Sequence, residues 1–468
     1  MSLRLCILSM LLLSHSLFVN AQQLSNSLSE AEFIAVVKLY HPAIKLSELA
    51  TAKSKQDLQG NKGQLDPTAY FNSASKTFDG SNYYNYTEAA LKVPIWYGID
   101  VIAGTEYLNG KKTDPTESLG KTNYLSVNIP LTKNLFLEKR NTILKQSREM
   151  LRLTEIEQLK VKNDILYEAV QCYWNWSKQY FVLQIIEQNL AVNKARIEFV
   201  RSSVLGGERP AIDTTEAITQ LQSFEYQYLQ RLTDFKNTGL ELSTYLWTKD
   251  NKPYELPNEI KPTTFSFFDV SDLTFTQQLI NEAMQNHPEL MMYESKLKIL
   301  GIEKKLKQQD LMPKFDVQYN LLGKGYNLYQ TVSTSSFLQN NYRYGIKFEM
   351  PLRLSQSRAE FSKSKIKIKE SLVQQSQKQQ SIEVKIKSYL NEMKMLEEQR
   401  KLQNDNYNYC KLLVNAEEQR FRGGESSLFI INSRENKALE SYEKLLDVQT
   451  KYYKTISALK WSAGILYK

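Results

Sequence analysis

The fold is decided by eleven residues in the last third of the chain, YRYGIKFEMPL, Tyr342–Leu352. Apolar side chains at Tyr344, Ile346 and Phe348 alternate with small or charged ones, which is the period of a β-strand with one apolar and one polar face. After Pro351-Leu352 the pattern becomes helical for about 70 residues, to Arg422. Such a helix measures roughly 105 Å, far more than an ordinary globular helix.

The same succession of strand and long helix occurs earlier in the chain. Leu125, Val127 and Ile129 alternate with polar residues before Pro130-Leu131, and a helical pattern then runs to Leu205. A glycine pair ends each long helix, and a second helical pattern returns to Trp247 or to Trp461. The pattern of each half therefore predicts strands followed by a long helical hairpin.

Ordered matches between the halves indicate a two-fold internal repeat. His41-Pro42 recurs as His287-Pro288, and Gly206-Gly207-Glu208 recurs as Gly423-Gly424-Glu425. A repeat of this length is one structural unit used twice. We predict a first structural repeat over residues 22–262, with a Pro-rich connector at its end, and a second over residues 263–468. The His-Pro pairs are interpreted as helix starts, not as ligands.

The halves differ by about 25 residues that lie between Pro67 and Pro130. Alternation of apolar and polar residues around residues 80–110 fits either an additional hairpin or an extended surface loop, and both alternatives stay open at this point.

The long helices also carry heptads, which predict coiled-coil packing with large, partly aromatic side chains. The heptad positions are Leu166, Tyr173 and Tyr180; Ala169, Trp176 and Leu183; Leu221, Tyr228, Phe235 and Leu242; Leu439, Leu446 and Tyr453.

Residues 1–21 have a basic start, an apolar core and small residues before Gln22, which is typical of a cleavable secretory signal.

The whole chain has only three His and three Cys, too few for a histidine-based site or a disulfide scaffold. Cys172 and Cys410 are expected to be free thiols. The net charge of +9 lies largely on solvated helix faces, so no nucleic acid is expected. No phosphate-binding loop is present, and neither a cofactor nor an enzymatic activity is predicted.

These elements predict a mainly α protein with membrane β-structure. Two-faced strands in an exported chain suit a barrel between lipid and water. We predict two strands per half and four per chain, which cannot close a barrel alone, and open edges are not tolerated in lipid. Three chains would build a shared barrel of twelve strands, joined to a long α-helical coiled-coil tunnel.

The two-fold repeat, the strand-to-helix Pro-Leu step and the glycine-centred hairpins resemble the TolC-like outer membrane efflux channels. The most similar stretch is GERPAIDTTEA, which runs from Gly207 to Ala217. The resemblance implies a homotrimer in the outer membrane of a Gram-negative bacterium, with a periplasmic helical extension. It also implies a passive exit duct of a tripartite efflux or type I secretion system, with a periplasmic adaptor and an inner-membrane transporter as partners. The alternative is an exported structural coiled-coil protein.

The resemblance assigns the two glycine turns to the periplasmic tip, where an adaptor would dock. It also implies acidic residues that narrow the tunnel mouth. Asp213 matches as a candidate lumen-facing acidic residue, whereas the second return helix has Ile430 and Ser433 at the corresponding positions and departs from the family. The candidate adaptor contacts are Val204, Leu205, Gly206, Gly207, Phe421, Gly423 and Gly424.

Overall fold

The computed structural model describes residues 27–111, 118–133, 138–263, 274–324 and 341–467. The predicted secretory signal lies outside these ranges, as do the last residues of the connector, which the sequence predicts over residues 248–268. In chain order the helices and longer strands are β1 (Ser27–Leu28), α1 (Glu30–Tyr40), α2 (Pro42–Lys62), β2 (Thr68–Phe78), β3 (Ser81–Pro94), β4 (Asp100–Asn109), β5 (Gly120–Pro130), α3 (Lys139–Leu205), α4 (Ile212–Ser243), β6 (Lys261–Pro262), α5 (Thr274–Asn286), α6 (Pro288–Gln309), β7 (Lys314–Lys324), β8 (Tyr342–Glu349), α7 (Ser355–Arg422) and α8 (Leu428–Ser462).

The described residues fall into two compact units, each of which draws on both halves of the chain. The helical unit contains residues 27–45, 162–263, 274–280 and 384–467. The sheet unit contains the described residues of 46–161 and 281–383. The compact units therefore do not coincide with the predicted repeats, which were defined by sequence order.

The predicted long helices are confirmed. α3 has 67 residues and ends at Leu205, and α7 has 68 residues and ends at Arg422. Neither Gly nor Pro interrupts them, so intrahelical hydrogen bonding continues without a break. No helix of the described ranges is both long enough and apolar enough to cross a lipid bilayer.

The core of the helical unit contains the predicted aromatic heptad residues. Tyr173 and Trp176 on α3 are each 1% exposed, and the Trp176 ring stacks on Phe235 of α4 with 6.2 Å between centroids. Trp174 stacks on Tyr453 of α8 at 4.3 Å. Burying several rings of this size supplies much of the apolar surface that holds such a bundle together. The predicted aromatic core is confirmed for these positions.

The two His-Pro pairs are helix starts, as predicted. Pro42 begins α2 and Pro288 begins α6, where the missing N–H of proline leaves no intrahelical bond unmade. The Nδ1 atom of His287 accepts a hydrogen bond from the Glu289 amide at 3.1 Å. His41 accepts one from Ala43 at 3.3 Å. Both histidines therefore cap helices.

The sheet unit contains six strands in the order β2-β3-β4-β5-β7-β8, with every neighbouring pair antiparallel. The prediction of four strands per chain is wrong, and the count of twelve for three chains no longer follows. Residues 81–109, which left two alternatives open, form β3 and β4. This hairpin is inserted into the sheet between β2 and β5.

The strand register gives the sheet one apolar and one polar face, as the period of two predicts. Because opposite residues share a face, one row can be followed across all six strands. The apolar row is Ala69, Leu91, Ala103, Leu125, Leu321 and Tyr342. A row on the other face is Asn72, Glu88, Glu106, Thr122 and Lys324.

The polar face ties the inserted hairpin to its neighbours. Glu88 of β3 accepts a hydrogen bond from the Tyr124 hydroxyl of β5 and another from the Asn72 amide of β2 at 3.0 Å. To reach Glu88 the Tyr124 ring crosses Gly104 of β4. A Cβ at Gly104 would lie 2.7 Å from the Tyr124 ring and 2.7 Å from the Ala90 Cβ. The absent side chain at residue 104 therefore makes room for the contact.

Candidate functional site

The first candidate turn, residues 204–213, lies in the helical unit and closes α3 with a Schellman motif. The Gly207 amide donates to the Val204 carbonyl at 3.0 Å, and the Glu208 amide donates to the Ser203 carbonyl at 2.9 Å. This arrangement requires a left-handed residue after the helix, and Gly207 has φ +76°. Gly206 keeps a helical hydrogen bond to Ser202 and needs no such conformation.

The second candidate turn, residues 421–428, repeats the same hydrogen bonds. The Gly424 amide donates to the Phe421 carbonyl at 3.1 Å, and the Glu425 amide donates to the Arg420 carbonyl at 2.9 Å. Gly424 has φ +78°. In both turns the second glycine carries the conformational requirement.

The two turns are joined by Arg209, which the sequence analysis did not single out. Its guanidinium lies 3.8 Å from the centroid of the Phe421 ring, and one N–H donates to the Phe421 carbonyl at 2.7 Å. The same side chain pairs with Asp213 at 3.3 Å. An arginine can do all three because its planar fork stacks on a ring and donates along its edge.

The expectation that Phe421 offers an apolar contact to a partner needs correction. Phe421 is 1% exposed and belongs to a buried cluster with Ile197, Val200 and Leu428. Val204 packs against the same cluster. Arg209 and the first turn cover the Phe421 side chain. The helical pattern of the sequence predicts that this residue is apolar but does not predict that another segment buries it.

Leu205 is the apolar candidate that the chain leaves uncovered, with 89% of its side chain exposed. Ile212 and Phe429, both near the turns, are 67% and 73% exposed. These three apolar side chains beside the turns are accessible for contact with a partner. Asp213, the candidate lumen-facing acid, is held against Arg209 with 16% of its side chain exposed.

Beyond the turns, polar contacts join the return helices α4 and α8. Asn432 donates to Glu216 at 3.3 Å, Gln220 donates to Asn436 at 3.2 Å, and Arg231 pairs with Glu443 at 2.7 Å. The first two contacts border a groove of about 770 Å³ whose lining includes Phe429 and Ser433. Both positions where the chain departs from the family, Ile430 and Ser433, are exposed.

One buried ion pair links α3 to α8. Arg196 and Glu435 are each 6% exposed, and Arg196 donates two hydrogen bonds to the Glu435 carboxylate, one of them at 2.7 Å. The Asn193 amide also contacts this carboxylate, at 3.3 Å. Removing one partner from such a pair leaves an uncompensated buried charge. Their separation of 239 residues left no local signal in the sequence.

The described residues around the two turns present contact surfaces. Among the described residues, no three His, Cys, Asp or Glu side chains lie close enough together to hold a metal ion. Cys172 and Cys410 are both free, as predicted. What the site presents is two rigid turns, three exposed apolar side chains and a polar groove between return helices.

Comparison with known proteins gives a match to a family model over part of the chain and a fold shared with solved structures. Residues 279–464 match the outer membrane efflux protein family. The CmeC outer membrane channel of Campylobacter jejuni has a TM-score of 0.65 at 13% identity, covering 94% of this chain and 86% of that one. The MtrE outer membrane channel of Neisseria gonorrhoeae, in its open state, has a TM-score of 0.67 at 12% identity, covering 94% and 89%.

The outer membrane protein VceC of Vibrio cholerae is also similar, with a TM-score of 0.65 at 11% identity and coverage of 93% and 96%. No curated protein matches the chain significantly. The resemblance inferred from the sequence is thereby confirmed: residues 279–464 match the family model, and the fold is similar to that of solved outer membrane channels over 93–94% of the chain.

Proposed function

We propose that this protein is the passive outer-membrane exit duct of a tripartite efflux or type I secretion system. Three copies form the channel, a periplasmic adaptor docks onto it, and an inner-membrane transporter supplies the energy. Substrates pass from the transporter to the outside without chemical change.

The observation that carries the proposal is the two-faced sheet. Its apolar face presents side chains such as Phe71 and Phe348 to the surroundings, with 68% and 64% exposed. Its polar face carries Glu88, Asn320 and other hydrogen-bonding groups. A membrane barrel requires this combination, because lipid contacts one face and the aqueous lumen the other. An exported structural coiled coil has no use for such a sheet.

The turns support the docking part of the proposal. Leu205 projects from a backbone that a Schellman motif holds rigid, so a partner meets a preformed surface and loses little conformational freedom on binding. Leu205, Ile212 and Phe429 would lose contact with water in the complex. We assign adaptor binding to these three side chains together with the backbone of both glycine turns.

Photocrosslinking in living cells tests the proposal. A photoreactive phenylalanine analogue is placed at Leu205, and the products are identified by mass spectrometry. We expect crosslinks to a periplasmic protein anchored in the inner membrane. The control places the analogue at Val204, which is partly buried against the core of the same turn. Recovery of the protein in the soluble periplasm, with no partner captured from Leu205, would contradict the proposal.

A further inference from the structure

We propose that the assembled barrel has eighteen strands, six from each of three copies, and that β8 of one copy pairs with β2 of the next. The inference rests on the trimer of the proposed function. The strand number does not come from the resemblance, which led to twelve. It comes from the six-stranded sheet and from the position of the β3–β4 hairpin within it.

The β3–β4 hairpin is part of the barrel wall, that is, of the continuous sheet that would close into the barrel. β3 pairs with β2 from Thr68↔Lys92 to Phe78↔Ser81, and β4 pairs with β5 from Asp100↔Asn128 to Leu108↔Gly120. Two strands therefore stand between β2 and β5, which puts these about 14 Å apart at ~4.8 Å per strand. For β2 and β5 to pair directly, both sets of backbone hydrogen bonds would have to break.

Side chains fix the hairpin as well. The Tyr124 hydroxyl reaches from β5 across Gly104 of β4 to Glu88 of β3, and Asn72 of β2 reaches the same carboxylate. One carboxylate thus joins three of the four strands, and the ring of Tyr124 covers the remaining one. Asn72 is directly opposite Glu88 in the register, whereas Tyr124 is opposite Gly104 and reaches Glu88 diagonally. Both contacts require β3 and β4 to lie between β2 and β5.

The two edges of the sheet are suited to each other. Within the described residues, β2 pairs only with β3 and β8 only with β7. Every residue of β8 is exposed, as is every residue of β2 except Tyr70. Because six is even and each neighbouring pair is antiparallel, β2 and β8 run in opposite directions, so β8 can join β2 of a second copy in an antiparallel pair.

The faces also match across this junction. Phe71 and Ala69 lie on the apolar face of β2, and Ile346 and Phe348 lie on the apolar face of β8. Pairing a residue such as Ala69 with Phe348 continues both the apolar and the polar face into the next copy. In lipid an edge cannot stay open, since each unpaired backbone group carries a large penalty. The occupant of each edge is therefore a second copy of this chain.

Eighteen strands make a wider barrel than twelve. Barrel diameter grows roughly linearly with strand number, so we expect an outer-membrane pore about 1.5 times as wide as that of a twelve-stranded duct. Barrels of 16–18 strands leave an aqueous channel. The hairpin thus adapts the outer mouth to bulkier cargo.

Electron cryomicroscopy of the full-length protein, purified from outer membranes in detergent, tests strand number and copy number together. We expect three copies and eighteen strands. Three copies around a twelve-stranded wall would overturn this inference and leave the proposed function intact. Any other copy number would overturn both.

Disulfide trapping in the membrane provides a second measurement, with Cys172 and Cys410 replaced by Ser. The pair Ser73→Cys and Thr87→Cys joins opposite residues of β2 and β3, and we expect it to oxidise readily. The pair Ser73→Cys and Leu125→Cys joins β2 to β5, which lie too far apart for a bridge that needs Cα atoms within roughly 7 Å. A bridge in the second pair without one in the first would overturn the eighteen-stranded wall.

Discussion

Gly207 and Gly424 have the same role in the two turns, because both occupy left-handed backbone conformations with open space around the missing side chain. A side chain there would meet no neighbour, so the penalty comes from the backbone itself. For a residue other than glycine this conformation costs about 1–2 kcal/mol. The shape of each turn therefore depends on one residue.

We predict that the double variant Gly207→Val, Gly424→Val still assembles in the membrane but no longer captures the adaptor from a photoreactive residue 205. The turns are distorted, whereas the sheet and the aromatic core are untouched. The measurement compares oligomer on a gel with crosslinked adaptor. Gly206→Ala is the matched control, because Gly206 has a helical conformation and the nearest atom to an added Cβ is 3.5 Å away. Full crosslinking by the double variant would refute the docking role of the turns.

Burial raises the pKa of the Cys172 thiol to about 12. Because the thiolate is the reactive form, we predict slow alkylation by maleimide at pH 8 in the native protein, with a rate that rises about tenfold per pH unit. Unfolding in urea should restore an ordinary rate. The measurement is mass spectrometry of the labelled protein over time. Rapid labelling of native Cys172 would show that the thiol is not buried as described.

How far the sequence predicts the site can be seen from Gly207 and Phe421. The turn at Gly207 is encoded locally, since glycine at the end of a helical pattern favours a left-handed cap. The burial of Phe421 is not, since it depends on Arg209, which lies 212 residues earlier in the chain. The sequence shows that Phe421 is apolar. It does not show that Arg209 covers this side chain, because that contact forms only in the folded chain.

Among the secondary-structure elements, the inserted β3–β4 hairpin is the one whose structure the sequence did not decide, since a surface loop fitted the pattern equally well. Its first strand, β3, and the neighbouring β2 contain many Ser, Thr, Asn and Ala residues, so the contrast between the two faces is weak there. A local signal was nevertheless present for the turn that leads into the first strand of this hairpin. Asp79-Gly80 joins β2 to β3 with φ values of +51° and +69°, and Asp-Gly between strands is a strong hairpin signal. The long helices, in contrast, were predictable to their final residues because the glycine pairs end them.

Gly104 provides a test of the hairpin's place in the wall. We predict that Gly104→Val lowers the temperature at which the oligomer dissociates in detergent, because the new Cβ would overlap Ala90 and the Tyr124 ring. Overpacking of this kind costs about 1–3 kcal/mol. Gly345→Val is the control on a neighbouring part of the same face, where the nearest atom is 3.9 Å away. Equal effects of the two variants would contradict the described packing.

The buried pair between α3 and α8 gives a second prediction for the elements. Glu435→Leu should destabilise the helical unit by about 3–5 kcal/mol, because Arg196 stays buried without its counter-charge. The double variant Arg196→Met, Glu435→Leu should recover most of that loss. Glu443→Gln, in a pair whose side chains are 30% exposed, should cost no more than about 1 kcal/mol. Thermal unfolding followed by helical circular dichroism measures all three. A double variant less stable than Glu435→Leu would contradict this account.

For the whole molecule, the single chain leaves two kinds of surface that an isolated protein in water would not retain. Tyr344, Ile346 and Phe348 expose more than 60% of their side chains on the edge strand β8. Along α7, Leu402 and Tyr409 are similarly exposed at a spacing of seven residues. The first set suits lipid and a neighbouring sheet edge, and the second suits packing against another helix. Both are explained if copies of the chain surround a common channel.

The most direct test of the outer-membrane duct is the mass of the intact complex. Outer and inner membranes are separated by density, the protein is extracted from the outer-membrane fraction in mild detergent, and native mass spectrometry counts the chains. We expect a complex of three chains, resistant to heat, in the outer-membrane fraction. A monomer in the soluble periplasmic fraction would contradict it.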